Sequence, residues 1–451
     1  MNAMKRTLLA MACAGAMGAT VNTAQAANWL ILQGTEPSGT SKQAEVWGFV
    51  QVDYQADTSE PNAAGGYIPP KLIGPDLNTQ HAFNVSRARI GVRGTPVAID
   101  DKVNYFIMFE GGNNGITQGN GSAVKMTDAS ITLNHVPGAR LRAGLFKYPG
   151  AEEGLQAIHV FDYVNFTEVS NQMLLERFPN RVHPGAGTNP APCDPENTPT
   201  CNLNRFDSPV GAFRDVGVQL FDAFNFGNFE LSYAAMAGNG NGLNFSDNNS
   251  KLDTYAYLAG EWLTGGGQGR WREGLKVFAW GQTGERQFDG NNDGKFESYD
   301  RNRAGLGMKY LGKPWRFTTE YMVGKGMIWN GPDKPTWALV PPGDVNPDAQ
   351  GNGLKNRGSG YYVEGGWYIP NTNFEIDLRY DFYARLDGDL YQLDWKAYTL
   401  GLQYSFNPRT RVTFNYAMRD VTAPNFAAGA GPNANLDGIG DRYSVQLTTI
   451  F

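Results

Sequence analysis

The stretch Phe374-Glu375-Ile376-Asp377-Leu378-Arg379-Tyr380-Asp381-Phe382-Tyr383 carries an apolar side chain at every even position and, as far as Asp381, a charged one at every odd position. Successive side chains of an extended strand point to opposite faces. The segment therefore offers one face to lipid and the other to water, a period that no helix has. The same division separates Val412, Phe414, Tyr416 and Met418 from Arg411, Thr413, Asn415 and Arg419. It also separates Tyr398, Leu400, Leu402, Tyr404 and Phe406 from Thr399, Gly401, Gln403 and Ser405. A strand that crosses a bilayer needs about 9–11 residues. A soluble sandwich produces one or two such strands, but seldom with so charged a second face throughout.

Composition agrees with strands that enclose water. The 451 residues include 56 glycines, 25 phenylalanines, 21 tyrosines and 10 tryptophans, which favours strands, tight turns and interfacial aromatic girdles over helices. Mean hydropathy is only −0.42. A barrel reconciles membrane residence with that value, because half of each strand faces an aqueous lumen. No change of composition marks a domain boundary, so one continuous architecture is expected. The N-terminus has Lys5 and Arg6, an apolar run from Leu8 to Ala19, and the small-residue site Ala24-Gln25-Ala26. That pattern predicts a signal peptide over residues 1–26, too short in its core to span a bilayer. Cys13 does not fit a lipoprotein site, because Ala10 stands where leucine is normally required. The formal charge of −6 becomes more negative once Lys5 and Arg6 are removed, which argues against a nucleic-acid partner.

Connection lengths give an independent signal, since outer-membrane barrels alternate short turns with long loops. The expected short links are 95–101, 135–139, 224–228, 264–273, 311–314, 370–372 and 407–408. The long ones are 56–81, 112–122, 149–212, 238–251, 285–300, 327–358, 387–393 and 421–440. They predict an all-β, antiparallel transmembrane β-barrel of sixteen strands over 44–451, preceded by a short periplasmic segment at 27–43. Both termini fall on the periplasmic side. The last strand, Asp441 to Phe451, ends in an aromatic residue, the kind of signal read by the outer-membrane assembly machinery.

Three passages resemble the phosphate-selective porins O and P. They are Phe83-Asn84-Val85-Ser86-Arg87-Ala88-Arg89-Ile90-Gly91-Val92-Arg93-Gly94, Leu145-Phe146-Lys147-Tyr148-Pro149-Gly150-Ala151-Glu152, and Leu175-Glu176-Arg177-Phe178 with Phe213-Arg214-Asp215-Val216-Gly217-Val218. The resemblance implies a sixteen-stranded barrel, usually a homotrimer, whose third loop, here 149–212, folds inward as a constriction. It marks the family better than the solute. The family's usual phenylalanine after the junction proline is missing, since Pro149 leads straight to Gly150.

A channel performs no chemistry, so selectivity must come from lumen side chains. Alternation places Arg87, Arg89 and Arg93 on one face of their strand and Arg140 and Arg142 on one face of theirs, a basic wall patch. The third loop carries Glu152, Glu153, Asp162, Glu168 and Glu176. Basic wall against acidic loop predicts a transverse field that orients dipolar solutes. The competing reading is that each arginine is consumed by a neighbouring carboxylate. Phosphate selectivity would use Lys147 at the loop junction, extended by Lys102, Lys276, Lys309, Arg316 and Arg379. Glu110, Asp128, Glu230, Glu320, Asp377 and Asp381 share those faces, which points to a mixed lumen.

Two loop features stand apart. Asp289-Gly290-Asn291-Asn292-Asp293-Gly294-Lys295-Phe296-Glu297-Ser298-Tyr299-Asp300 has calcium-loop spacing, with oxygen ligands from Asp289, Asn291, Asp293, the Lys295 carbonyl and Asp300. Against it, position twelve is aspartate and a barrel supplies no flanking helices; the alternative is an acidic turn. Cys193 and Cys201 are the only cysteines after residue 26, and an oxidising compartment predicts a disulfide, worth roughly 2–3 kcal/mol on the chain-entropy model. No cofactor is required, and no nucleophile elbow, HExxH helix or phosphate-binding loop suggests an enzyme. The reading is a porin in the outer membrane for small hydrophilic solutes, including anions such as phosphate. Its rivals are a sugar-selective porin, stacking sugars on Trp280, Phe278 and Phe221, and a receptor or adhesin barrel.

Overall fold

The structure, a computed structural model, describes residues 28–31, 43–60, 81–96, 99–114, 116–117, 124–175, 212–247, 249–267, 269–288, 297–328, 356–390, 392–429 and 432–451. Strands β1 to β8 are Glu45–Asp57, His81–Gly94, Val103–Gly111, Lys125–Leu133, Arg140–Lys147, Arg214–Phe226, Phe229–Gly238 and Asp253–Leu263. Strands β9 to β16 are Gly274–Phe288, Glu297–Gly312, Trp315–Lys325, Arg357–Tyr368, Phe374–Arg385, Leu393–Asn407, Thr410–Thr422 and Arg442–Ile450. Two short helices, α1 (Glu152–Leu155) and α2 (Pro432–Leu436), lie in loops.

Each strand pairs antiparallel with its sequence neighbours, and β1 pairs with β16, so the sheet closes into a barrel without an edge. Closure matters because lipid offers no partner to a bare N–H or C=O. The alternation reads out directly. On β13, Glu375, Asp377, Arg379 and Asp381 are buried in the interior, whereas Phe374 and Leu378 are exposed on the outside. The outer band is apolar and aromatic, with cross-strand pairs Tyr380–Tyr398 and Tyr416–Tyr443 (both 4.7 Å) and Trp315–Trp367 (5.8 Å). Such pairs stabilise a sheet by roughly 0.2–1 kcal/mol each.

The expected links differ from the structure in detail. The link expected at 224–228 shrinks to Gly227-Asn228, with Phe226 paired to Phe229. Gly227 at φ +66° allows that two-residue turn. Strands β9 and β10 run on to Phe288 and Glu297, because polar side chains in the 285–300 region do not prevent ladder pairing at the rim. Of the short N-terminal segment expected at 27–43, Asn28–Ile31 lie inside the barrel: Leu30 is buried in the interior cluster and Trp29 and Ile31 pack against it, as their apolar side chains favour.

The barrel closes on its last residue. Gly48 and Phe451 exchange two backbone hydrogen bonds (3.1 and 3.0 Å), and a Cβ on Gly48 would fall 2.6 Å from the Phe451 ring and 2.3 Å from the Arg89 carbonyl oxygen. Gly48→Val should therefore cut the folded fraction severalfold, scored as heat-modifiable migration in gels, whereas Gly266→Ala, with nothing within 4 Å of its added Cβ, should leave it unchanged.

Candidate functional site: the lumen constriction

β5 stays paired with β6 as far as Lys147 opposite Arg214, and beyond it the β5–β6 link turns inward. Residues 148–175 then occupy the lumen. Leu155, Ile158, Phe161, Phe166, Val169, Met173 and Leu174 form the loop's apolar side and join a cluster with wall residues Phe49, Phe146, Phe221, Phe278, Trp280 and Trp395. Phe166 bridges Phe161 (4.9 Å) and Phe213 (5.3 Å). Fully burying one such side chain is worth roughly 1.5–3 kcal/mol.

Polar anchors fix where the loop sits. Glu152 on α1 is ion-paired to Lys276 of β9 and to Lys309 of β10 at 3.1 Å. Asp162 lies 3.1 Å from Arg316 of β11, with Arg270 and Arg411 at 3.9 and 4.0 Å. Glu153 accepts from Thr167 and stands 3.9 Å from Arg379 of β13. Wall arginines also donate to loop carbonyls: Arg303 to Met173 (3.0 Å), Arg379 to Asn165 (3.0 Å) and Arg411 to Phe161. The Glu168 backbone N–H donates to Asp381 (2.8 Å), and its carboxylate accepts from Gln172.

Glu152, Glu153 and Asp162 thus face β9–β15, where lysines and arginines neutralise them at close range, and not the β2–β5 arginines. Of the expected basic patch, Arg87, Arg89 and Lys147 lie close enough to interact with one another and with Arg214. The arginines of the patch are nevertheless partnered one by one. Arg89 pairs with Glu110, Arg140 with Asp222 (3.2 Å) and Arg93 with Glu45 (3.6 Å). Arg87 donates to Gln51 (3.1 Å). Arg142, 0 % exposed, lies 4.4 Å from the Phe221 ring and 5.4 Å from Phe146, a cation–π environment that no solute reaches. Lys147 is spent on the loop, donating to the Gln156 carbonyl at 2.8 Å.

Phe221 and Phe278 are covered, and Trp280 donates its indole N–H to Glu320 at 2.6 Å. None of the three offers an open face to a sugar. Glu176, Cys193, Cys201, Asp289, Asn291, Asp293 and Lys295 lie outside the described residues. Asp300 is in β10, in register with Glu285 of β9.

Among the described residues that line the lumen, Lys309, Lys276, Arg140, Arg270, Asp162, Glu261 and Glu364 keep some exposure. Glu152, Glu261, Arg272, Lys276, Lys309 and Trp29 line one small cavity of about 40 Å³. Lys276, Lys309 and Arg316 were legible as lumen-facing cations. Trp29, Arg270 and Arg272 were not, since they come from the N-terminal segment and a turn, where alternation gives no direction.

A sixteen-stranded transmembrane barrel with an inward third loop has the porin architecture. No family model and no curated protein sequence matches the chain. Among solved structures it is similar to OmpF of Salmonella typhi in complex with daunomycin, at 13% identity and TM-score 0.50, covering 90% of this chain and 97% of that one. It is also similar to the outer membrane channel DcaP of Acinetobacter baumannii (12% identity, TM-score 0.49, 93% and 100% covered). The trimer form of OmpT, an outer membrane protein of Vibrio cholerae, matches at 11% identity and TM-score 0.49, with 90% and 99% covered. At these identities the likeness is one of fold.

Burial pushes the Glu152 carboxyl up, but Lys276 and Lys309 outweigh it and hold it down at about 2. Its anchoring is complete above the ordinary value of 4.5 and is lost as pH falls through about 2. Amide exchange across Glu152–Gln156 should thus keep its protection factors from pH 7 to about pH 5.5 and lose them progressively as pH falls further. In Glu152→Gln at pH 7 those factors should fall about tenfold, the scale of one charged hydrogen bond.

Proposed function

We propose that the chain is an outer-membrane porin for passive diffusion of small hydrophilic solutes, with at most a mild ion preference. The observation that carries this is a closed barrel with a polar interior, partly filled by a loop anchored through ion pairs, leaving cations and carboxylates interleaved along the lumen. Nearly every lumen arginine described above has a carboxylate, amide or carbonyl partner. A ladder dedicated to phosphate would need guanidinium or ammonium groups held free for oxygen, and Lys147, the best single candidate in the sequence, is occupied. Lys276 and Lys309 are the strongest remaining positions for an anion preference, because they share one carboxylate, Glu152. That arrangement keeps phosphate as the second reading, in line with the resemblance to porins O and P.

Assembly as a homotrimer, insertion through the C-terminal strand, calcium at 289–300 and a Cys193–Cys201 disulfide belong to the same proposal. Each has a direct check: native mass, calorimetric calcium titration and thiol alkylation among them. The channel itself is tested in planar bilayers across a potassium chloride gradient. A zero-current potential within a few millivolts of zero, no block by phosphate and no block by sugars is the expected outcome. Phosphate block abolished by Lys276→Gln with Lys309→Gln would establish the second reading, and a folded barrel that never conducts would favour a receptor or adhesin.

A further inference from the structure

The segment ahead of β1 is held inside the barrel by specific contacts. Asn28 Nδ2 donates to Glu230 Oε1 at 2.9 Å and to Ser232 Oγ, both on the lumen face of β7 near its short-turn end. Leu30 is 1 % exposed within the interior cluster, and Trp29 and Ile31 pack against that cluster. Trp29 also lines a small cavity together with Glu152, Lys276 and Lys309. β1 starts at Glu45, opposite Arg93 near the end of β2.

We infer that Asn28–Ile31 are a built-in plug that forms the inner mouth of the channel and sets its conductance. This rests on the diffusion-channel reading. Three physical features suit the segment to the role. Its apolar side chains gain by leaving water at the mouth for the loop's apolar side. The Asn28 amide reaches a carboxylate and a hydroxyl, which orients the segment. It belongs to no strand ladder, so it can leave without breaking the barrel, and its tether keeps it at high effective concentration when it does. Trp29 and Leu30 are thus conduction-determining residues that come from outside the strands and the third loop.

The test compares single-channel conductance in planar bilayers for the full chain, a variant lacking residues 28–42, and Trp29→Ala with Leu30→Ala, each first shown to be heat-modifiable. The deletion should raise conductance at least twofold, and the double substitution should give an intermediate level with frequent transitions. A synthetic peptide of residues 28–42 added to the deletion variant should restore the low level from one side of the membrane only. Equal conductance in all three proteins, or a peptide without effect, overturns the plug. Silence of every folded protein instead overturns the channel reading, and the plug with it.

Discussion

The lumen of this barrel is governed by charge neutralisation between two parts of the chain far apart in sequence. Strands β9 to β15 turn Lys276, Lys309, Arg303, Arg316, Arg379 and Arg411 inward, and the third loop answers with Glu152, Glu153, Asp162 and a row of carbonyls. In a confined space walled by protein these attractions are stronger than in bulk water. Neither side would hold its place without the other. Over its described residues the loop has only short helical turns, at Glu152–Leu155, Ile158–Val160 and Ser170–Leu174, so its path depends on these anchors and on the apolar side that Phe161, Phe166 and Val169 bury.

That dependence makes the lumen's charge pairing lopsided. The loop's acids face β9–β15, its apolar side also packs on Phe49 of β1, Phe146 of β5 and Phe221 of β6, and the arginines of β2 to β6 pair within short range: Arg89 with Glu110, Arg214 with Asp128 at 3.1 Å, Arg140 with Asp222. What a solute meets is a succession of partly compensated groups of both signs. Such a surface favours passage over binding, because no single step holds either ion tightly.

The barrel was readable from the sequence because alternation and link length are local properties. Glu375 to Asp381 announce their faces with no knowledge of the neighbouring strands, and seven short links against eight long ones fix the strand count. Partners are not local. Alternation correctly turned Arg89 and Arg142 away from lipid, but it could not tell that Arg142 would be enclosed by Phe146 and Phe221. Nor could it tell that the loop acids would cross to the far wall. Trp29 was invisible for a related reason: the short, unbroken apolar run from Trp29 to Leu32 has no period to show which way it goes.

The seam between β1 and β16 carries a consequence for biogenesis. β1 pairs with β16 from Phe49 to Asp57, and Phe451 adds two backbone bonds to Gly48. The first strand of the barrel to be made therefore finds one of its two partners only when the sixteenth has been made, and until then it presents an open row of N–H and C=O groups. Shielding that edge from a wrong partner is a demand that the strand order itself places on the folding of the barrel.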